Sequence, residues 1–228
     1  FTSIDVIKIT GDIALNYVRH FRQLTEIKKI FSTIDRSNQK YIAEWIRAST
    51  RLRSVSLLLY YGPDILCRTG ISEKLSSFSS DVIYALCASA TISKINLKRF
   101  TPHLIILPNN FTQISLDDMA LTDDCLNSLA DSRQLQRLRL IRCNFTMMNF
   151  ANCKRFTHKV RNISRLDIIS ACGCGRIQVI LKFILGMLSV QQVKLNILNI
   201  RQIGFHDDSI KKIRNACNRF DDLALTID

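Results

Sequence analysis

The sequence predicts an α/β solenoid in which short parallel strands alternate with helices along the whole chain. The first observation is a frame of apolar residues, apolar-x-x-apolar-x-apolar, that recurs from one end of the chain to the other. The second is that a segment of helical periodicity follows most copies of the frame. The frames begin at Phe1, Leu52, Ile92, Phe111, Leu135, Ile163, Val190 and Phe220, and a weaker copy lies at Leu24 and Ile27.

Each frame predicts a strand whose fourth and sixth residues are buried, because side chains alternate between the two faces of a strand. Most frames begin 19 to 30 residues after the previous one, a period that is typical of leucine-rich repeats. Asp123 and Asp207 start two of the predicted helices, where a carboxylate favours the helix dipole. The predicted helices are Asp12–Arg22, Asn38–Ala48, Glu73–Ala88, Asp123–Asp131, Asn149–Arg161, Arg176–Leu188 and Asp207–Asn218.

These repeats predict a single leucine-rich repeat domain over residues 1–228, with eight or nine strands. Helices are wider than the spacing of strands, so the array should bend into a horseshoe with the strands on its concave face and helices on its convex face. Two proline residues predict an irregular stretch between Phe100 and Asn110, and a long spacing predicts an insertion over Tyr60–Ile71. We also expect the chain to be a fragment of a longer protein.

The composition limits the classes of function. Lys and Arg outnumber Asp and Glu by 32 to 19, a formal net charge of +13, which favours an acidic partner. The longest apolar run, Ile177 to Val190, is shorter than the roughly 20 residues that cross a bilayer, so no membrane partner is expected. The eight scattered cysteines predict free thiols in a reducing compartment, the cytoplasm or the nucleus.

No catalytic constellation is visible in the sequence. The four histidines lie in different repeats, and neither a phosphate-binding loop nor a nucleophile elbow occurs. Cys172 and Cys174 supply two thiols, which is too few for a zinc site. The sequence therefore predicts neither an enzyme nor a cofactor.

The frame indicates which residues lie on the concave face, since its third, fifth, seventh and eighth positions face away from the core. Basic residues at these positions are interleaved with apolar ones, which suits a protein partner. We expect the site to be centred on Arg137, Arg139 and Arg142. The alternative is that Asp117, Asp118 and Asp167 pair with these arginines across neighbouring strands. The full set of candidate residues is Lys94, Lys98, Arg99, Arg137, Arg139, Ile141, Arg142, Arg165, Ile169 and Lys194.

The segment Ile114–Ala130 resembles one unit of the cysteine-containing leucine-rich repeats of F-box proteins, with its Leu-Thr-Asp turn and Leu-x-x-Leu-Ala helix. Leu138 to Cys143 repeats the strand with the cysteine in place, and Ile203 to Ile210 is similar to the turn. The chain departs from the pattern at Phe100, Tyr60 and Leu198, which replace the expected Cys or Asn. The resemblance implies the substrate receptor of a ubiquitin ligase.

Two functional hypotheses remain open from the sequence. The first is a protein-recognition module or adaptor that binds an acidic segment of another protein on its concave face. The second is a nucleic-acid-binding module, similar to the leucine-rich repeat domains of RNA-export factors, which the net charge supports. The scarcity of aromatic residues beside the concave basic residues disfavours the second hypothesis.

Overall fold

The computed structural model describes residues 6–9, 29–34, 39–59, 80–99, 110–147, 162–169, 177–189 and 194–228. The chain divides into two compact units, Phe1–Phe111 and Thr112–Asp228, which we describe separately. The predicted single domain over 1–228 stays a prediction. Several other predictions lie outside the described residues: the helices Asp12–Arg22 and Asn149–Arg161, the insertion Tyr60–Ile71 and the stretch between Phe100 and Asn110.

In the first unit, four strands pair in parallel and in chain order. They are β1 (Val6–Ile9), β2 (Lys29–Ile34), β3 (Ser54–Leu59) and β4 (Lys94–Lys98). Helix α1 (Gln39–Ala48) matches its prediction to within one residue, and α2 (Ser80–Ala88) forms the end of the predicted helix Glu73–Ala88. The residues of α1 that are buried include Ile42, Trp45 and Ile46, whose spacing places one apolar stripe against the core.

In the second unit, five parallel strands follow each other in the same way. They are β5 (Gln113–Asp117), β7 (Arg137–Ile141), β9 (Arg165–Ile169), β10 (Ile197–Arg201) and β11 (Ala224–Ile227). Two further strands, β6 (Ala120–Thr122) and β8 (Asn144–Met147), form a small parallel pair. The helices are α3 (Asp123–Asp131), α4 (Ile177–Ser189) and α5 (Asp207–Cys217), close to their predicted bounds.

Hydrogen bonds that recur from one repeat to the next confirm the predicted fold class. In the second unit, the carbonyl of Thr112 accepts from the N–H groups of both Gln136 and Arg137, at 2.9 and 3.0 Å. One repeat later, the carbonyl of Gln136 accepts from Ser164 and Arg165, at 2.8 and 3.0 Å. Each repeat thus adds one strand in the same register, and the fourth and sixth frame residues are buried from β5 to β10 along this sheet. The fold is an α/β leucine-rich repeat solenoid.

The strand register corrects the frame that the sequence predicts at Val190. Leu198 pairs with Leu166, and Ile200 pairs with Ile168, so the frame of this repeat begins at Leu195. Lys194 therefore lies just before the repeat and outside β10, not at a strand position that faces solvent. Apolar residues occupy the frame positions that begin at Val190 and also those that begin at Leu195. Only the pairing with the neighbouring strand decides between the two registers.

The frames at the two ends of the chain are also wrong in register. Ile7 and Ile9 pair with Ile30 and Ser32, so the first two frames begin three residues later than Phe1 and Leu24. Ser32 is buried at the sixth position of its frame, where the pattern expects an apolar residue. A polar residue occupies the sixth position in both registers, Lys29 in the predicted frame and Ser32 in the true one. The last frame shifts by two residues, because Leu225 lies opposite Leu198.

A left-handed residue ends the strand in four repeats. Arg99, Asp118, Arg142 and Gln202 occupy the eighth frame position, with φ between 50° and 61°. This conformation is uncommon for residues other than glycine. The N–H of Arg142 donates to the carbonyl of Ile169 in the next repeat at 2.8 Å, so the turn extends the ladder beyond the strand. The eighth frame residue is thereby held directly beyond the end of the strand.

Four of the eight cysteines are described, and the prediction of free thiols is confirmed for them: Cys87, Cys125, Cys143 and Cys217. The other four lie outside the described residues. The Sγ atom of Cys143 lies 3.4 Å from the carbonyl oxygen of Leu116, to which the thiol donates. Burial raises the pKa of both Cys125 and Cys143 to about 12. In the part of the chain that the structure describes, no helix has the length and apolar character needed to span a bilayer.

Candidate functional site

The arginines on which the sequence centres the site are largely neutralised. We call the outward residues of β5, β7, β9, β10 and β11, with those that directly follow each strand, the second strand surface. There, the guanidinium of Arg142 donates to the carboxylate of Asp117. The Nη2 atom lies 2.6 Å from Oδ1 and 2.8 Å from Oδ2, and the Nε atom lies 3.0 Å from Oδ1. The Arg142 side chain is 45% exposed, so the pair contributes at most about 1 kcal/mol to stability.

A buried carboxylate organises the middle of the second strand surface. The Asp167 side chain is only 2% exposed and is surrounded by donors from three strands. Arg137 donates from Nη2 at 3.2 Å, Arg165 donates from Nε to both oxygens at 3.1 Å, and the amide of Asn199 donates to Oδ1. These charged side chains thus pair with each other within the folded chain. The alternative that Asp117 and Asp167 pair with the arginines is confirmed.

Arg139 differs from its neighbours. It lies in register between Ser115 and Asp167, and its Nε atom is buried without a hydrogen-bond partner among the described residues. Ile141 and Ile169 lie opposite each other one row away and are half-buried. The predicted residues of the second unit therefore do lie on one surface, apart from Lys194. They do not form a cluster of uncompensated positive charge.

These contacts correct one expectation about mutants. From the sequence, reversing the charge of Arg137 and Arg139 should leave stability nearly unchanged, because surface substitutions usually cost less than about 0.5 kcal/mol. Arg137 instead donates to a buried carboxylate, a contact that a glutamate would remove, and a glutamate at position 139 would lie directly opposite Asp167. Stability should therefore fall in such a variant, and loss of binding by it would not locate a partner.

The strand surface of the first unit has the opposite character. We call the outward residues of β1 to β4, with Arg99 that follows them, the first strand surface. Five of its residues are cations, and no acidic residue occurs among those the structure describes there. The cations are Lys8, Lys29, Lys94, Lys98 and Arg99, of which Lys94, Lys98 and Arg99 belong to the predicted set.

The strand register arranges this surface in rows that run across the sheet. The middle row consists of Lys8, Phe31, Ser56 and Asn96, each opposite the next. Asn96 donates from Nδ2 to the hydroxyl of Ser56 at 3.1 Å, which orients the amide along the row. The row above it contains Thr33, Leu58 and Lys98 in register. Apolar side chains thus lie in the centre, and lysines lie at the sides.

An open groove of about 170 Å³ lies between these two rows. Phe31 is 41% exposed beside it, and Val6 on the neighbouring strand is 48% exposed, both unusually accessible for large apolar side chains. The residues that line the groove are Lys8, Phe31, Ser32, Thr33, Ser56, Leu57, Leu58, Asn96 and Lys98. An exposed apolar patch bordered by charges is typical of an interaction site.

The sequence prediction missed three members of this surface, Lys8, Lys29 and Phe31. The register error in the first two frames placed Lys29 at the buried sixth position, and it placed Lys8 and Phe31 at the eighth position instead of the fifth. The correct frame of the second repeat begins at Ile27 and has Ile30 and Ser32 at its fourth and sixth positions. The predicted frame at Leu24 also has a polar sixth residue, Lys29, so the apolar pattern does not decide between the two registers.

Ligand chemistry other than surface recognition finds little support in the described residues. Across them, no group of three or more His, Cys, Asp or Glu side chains is arranged to hold a metal ion. Cys172 and Cys174 lie outside that part of the chain. The first strand surface carries no carboxylate, imidazole or thiol within its described rows, so what it offers a partner is charge, amide and hydroxyl groups, and apolar area.

Comparisons with known proteins found structural similarity at low sequence identity. No protein-family model matches the chain, and no curated protein matches it. Among solved structures, the chain is similar to the leucine-rich repeat-containing protein LegL7 from Legionella pneumophila, at 14% identity and a TM-score of 0.48. That similarity covers 92% of this chain and 69% of LegL7. The assignment of the fold rests on the strand pairing and the buried frame described above.

Proposed function

We propose that this repeat module recognises a partner protein through its first strand surface. The observation that carries the proposal is the contrast between the two surfaces. On the second, Asp117 and Asp167 accept from the neighbouring arginines. On the first, Lys8, Lys29 and Lys94 are exposed on strands that carry an apolar groove, and no acidic residue occurs among the described positions.

The energetics favour a role in binding for such a surface. Lys8 and Lys29 lie diagonally across β1 and β2 and repel each other, whereas a partner with carboxylates would relieve this repulsion. Exposed Phe31 adds apolar area that a partner would remove from water, at about 25 cal/mol per Å². Aromatic side chains such as Phe31 are enriched at protein interfaces relative to the rest of the surface.

Affinity capture from cell lysate tests the proposal. Reversing Lys8 and Lys94 to glutamate should abolish specific capture, because both side chains are exposed and lie on the outer strands of the surface. The matched control reverses Lys211 and Lys212, which are exposed on α5, and changes the net charge equally. Equal loss in both variants, or none in either, would show that this surface does not bind the partner.

Nucleic acid is the second candidate, supported by the net charge of +13. Single strands usually need a series of aromatic side chains for base stacking, and Phe31 is the only aromatic on the described strand surfaces. Treating the lysate with nuclease distinguishes the candidates. Protein should remain captured after nuclease treatment if the first proposal is right, and should be lost if RNA is the bridging partner.

A finer proposal is that this partner is a substrate of a ubiquitin ligase. It is supported by the resemblance to the cysteine-containing repeats, in which a cysteine follows the strand, as Cys143 follows β7 here. A cytoplasmic or nuclear location belongs to the same proposal, since the described thiols are free. Co-purification of the full-length protein with ligase scaffold subunits would support this role, and a full-length sequence without an F-box would end it.

A further inference from the structure

We propose that Lys8 and Lys29 together bind one carboxylate of the partner, while apolar side chains beside that carboxylate cover Val6 and Phe31. This inference rests on the proposed function and specifies the chemistry that the partner presents. It follows from the arrangement of these four residues, from their exposure and from the distance between the two lysines. We call the four residues the β1–β2 patch.

Cations and apolar residues alternate in the β1–β2 patch. Val6 lies opposite Lys29, and Lys8 lies opposite Phe31, so each cation has an apolar neighbour on the adjacent strand. Along each strand, the cation and the apolar residue are two positions apart and therefore lie on the same face. The two cations thus occupy one diagonal of the patch, and the two apolar residues occupy the other.

The side chains of the patch are accessible to a partner. Val6 is 48% exposed and Phe31 is 41% exposed, and both lysines are exposed as well. No acidic residue occurs among the described positions of the first strand surface. The patch therefore differs from the second strand surface, where the carboxylate of Asp167 accepts from the arginines around it.

The distance between the two lysines suits a single acceptor. Neighbouring strands lie about 4.8 Å apart and each residue adds about 3.3 Å, so the diagonal between the Cα atoms of Lys8 and Lys29 is about 8 Å. Lysine has a flexible four-carbon stem, which lets both ammonium groups turn toward a point between them. A carboxylate at that point accepts from both lysines and offsets the repulsion between them.

The apolar diagonal determines what surrounds the carboxylate in the partner. Val6 and Phe31 lie on either side of the point between the lysines, so apolar side chains that cover them also exclude water from the ion pairs. Hydrogen bonds and charge interactions are stronger where water is excluded. A segment with one acid among apolar residues therefore fits the patch better than a run of acids, which would leave Val6 and Phe31 uncovered.

Pools of 12-residue peptides test this chemistry against the immobilised protein. Every peptide of the probe pool has Glu at one central position and a random mixture of Leu and Ser elsewhere. One control pool has Gln in place of Glu, and another has Ser at all positions other than the central Glu. We expect the probe pool to be retained about tenfold more than either control at physiological salt. Equal retention of the Gln pool, or preferential binding of a labelled 12-nucleotide poly(U) strand, would overturn the inference.

A double-mutant cycle tests whether the two lysines share one carboxylate. With the best-retained probe peptide, the effect of Lys8→Gln/Lys29→Gln should differ at least about threefold from the product of the single effects, because residues with a shared partner are coupled. The control cycle combines Lys8→Gln with Lys94→Gln, which lies three strand spacings away and should act independently. Independent effects of Lys8 and Lys29 would contradict a shared carboxylate.

A pair of protein variants tests the apolar contact independently of charge. Phe31→Ser removes the exposed ring from the patch, and Tyr84→Ser removes a 67% exposed ring from α2 as the matched control. Both rings are exposed, so both variants should fold, which thermal unfolding would verify. The first should weaken binding of the best-retained probe peptide about tenfold, and the second should not change it. Equal affinities of the two variants would contradict the apolar part of the inference.

Failure of this inference can be separated from failure of the proposed function. If Lys8→Glu/Lys94→Glu loses captured protein but the probe pool is not retained, the surface is still a protein-binding site and the proposed partner chemistry is wrong. If capture is unaffected by that variant, the proposed function itself is wrong. Self-association that Lys8→Gln/Lys29→Gln abolishes would assign the patch to a second copy of the chain and overturn the inference. Retention of the probe pool that is lost in both Phe31→Ser and Lys8→Gln/Lys29→Gln would support it.

Discussion

Replacing Asp167 with asparagine is expected to lower the free energy of unfolding by about 3 kcal/mol, a cost typical of removing one partner of a buried ion pair. The substitution keeps the shape of the side chain and removes only its charge. Arg137 and Arg165 lie directly opposite each other in register, and both donate to this carboxylate. Without it, two like charges face each other across neighbouring strands, which is destabilising.

Urea denaturation followed by circular dichroism measures this change. The transition midpoint should shift to lower urea with little change in slope, because the surface exposed on unfolding stays the same. The matched control is Asp117→Asn, which breaks the exposed pair with Arg142 and should cost less than about 1 kcal/mol. Equal effects of the two substitutions would show that Asp167 does not organise the second strand surface.

Raising the pH from 7.5 to 9.5 is expected to lower the free energy of unfolding by about 3 kcal/mol through two buried thiols. Burial raises the pKa of Cys125 and Cys143 to about 12, whereas a thiol in an unfolded chain ionises near pH 8.5. Between these values the folded chain retains protons that the unfolded chain releases, so stability falls as the pH rises. One unit above the unfolded pKa, each thiol accounts for about 1.4 kcal/mol.

The control for this pH dependence is the double variant Cys125→Ala/Cys143→Ala. It will be less stable at both pH values because two buried side chains are truncated, but its stability should change much less between them. The single variant Cys125→Ala should show about half of the wild-type dependence. A wild-type protein and a double variant with the same loss of stability would contradict the assignment to these thiols.

Much of the fold could be predicted from the sequence because burial repeats along it. The frames beginning at Leu52, Ile92, Phe111, Leu135 and Ile163 are correct in register, and each has apolar residues at all three of its defining positions. The remaining frames are predicted in the wrong register, where extra apolar residues occur or a frame position is polar. Val190 and Val193 match the apolar pattern, but Leu195 and Leu198 are the true first and fourth residues of that frame. In another frame, Ser32 is a polar residue at the sixth position.

The candidate site could be predicted only in part because it depends on contacts between strands. Whether Arg137 is available for a partner depends on Asp167, which is 30 positions away in sequence and comes next to it only through strand pairing. A net charge does not reveal which cations have neighbours of opposite sign. The error in register placed Phe31 and Lys8 at the eighth frame position instead of the fifth, and so hid the groove they line.

Lysine-modification footprinting tests most directly the claim that the first strand surface is the binding site. The purified chain is acetylated alone and after incubation with nuclease-treated lysate, and the modified lysines are located by mass spectrometry. Lys8, Lys29 and Lys94 are exposed and should become protected by the partner, whereas Lys211 and Lys212 on α5 should react equally in both samples. Protection of Lys211 and Lys212 with unchanged reactivity of the strand lysines would contradict the claim.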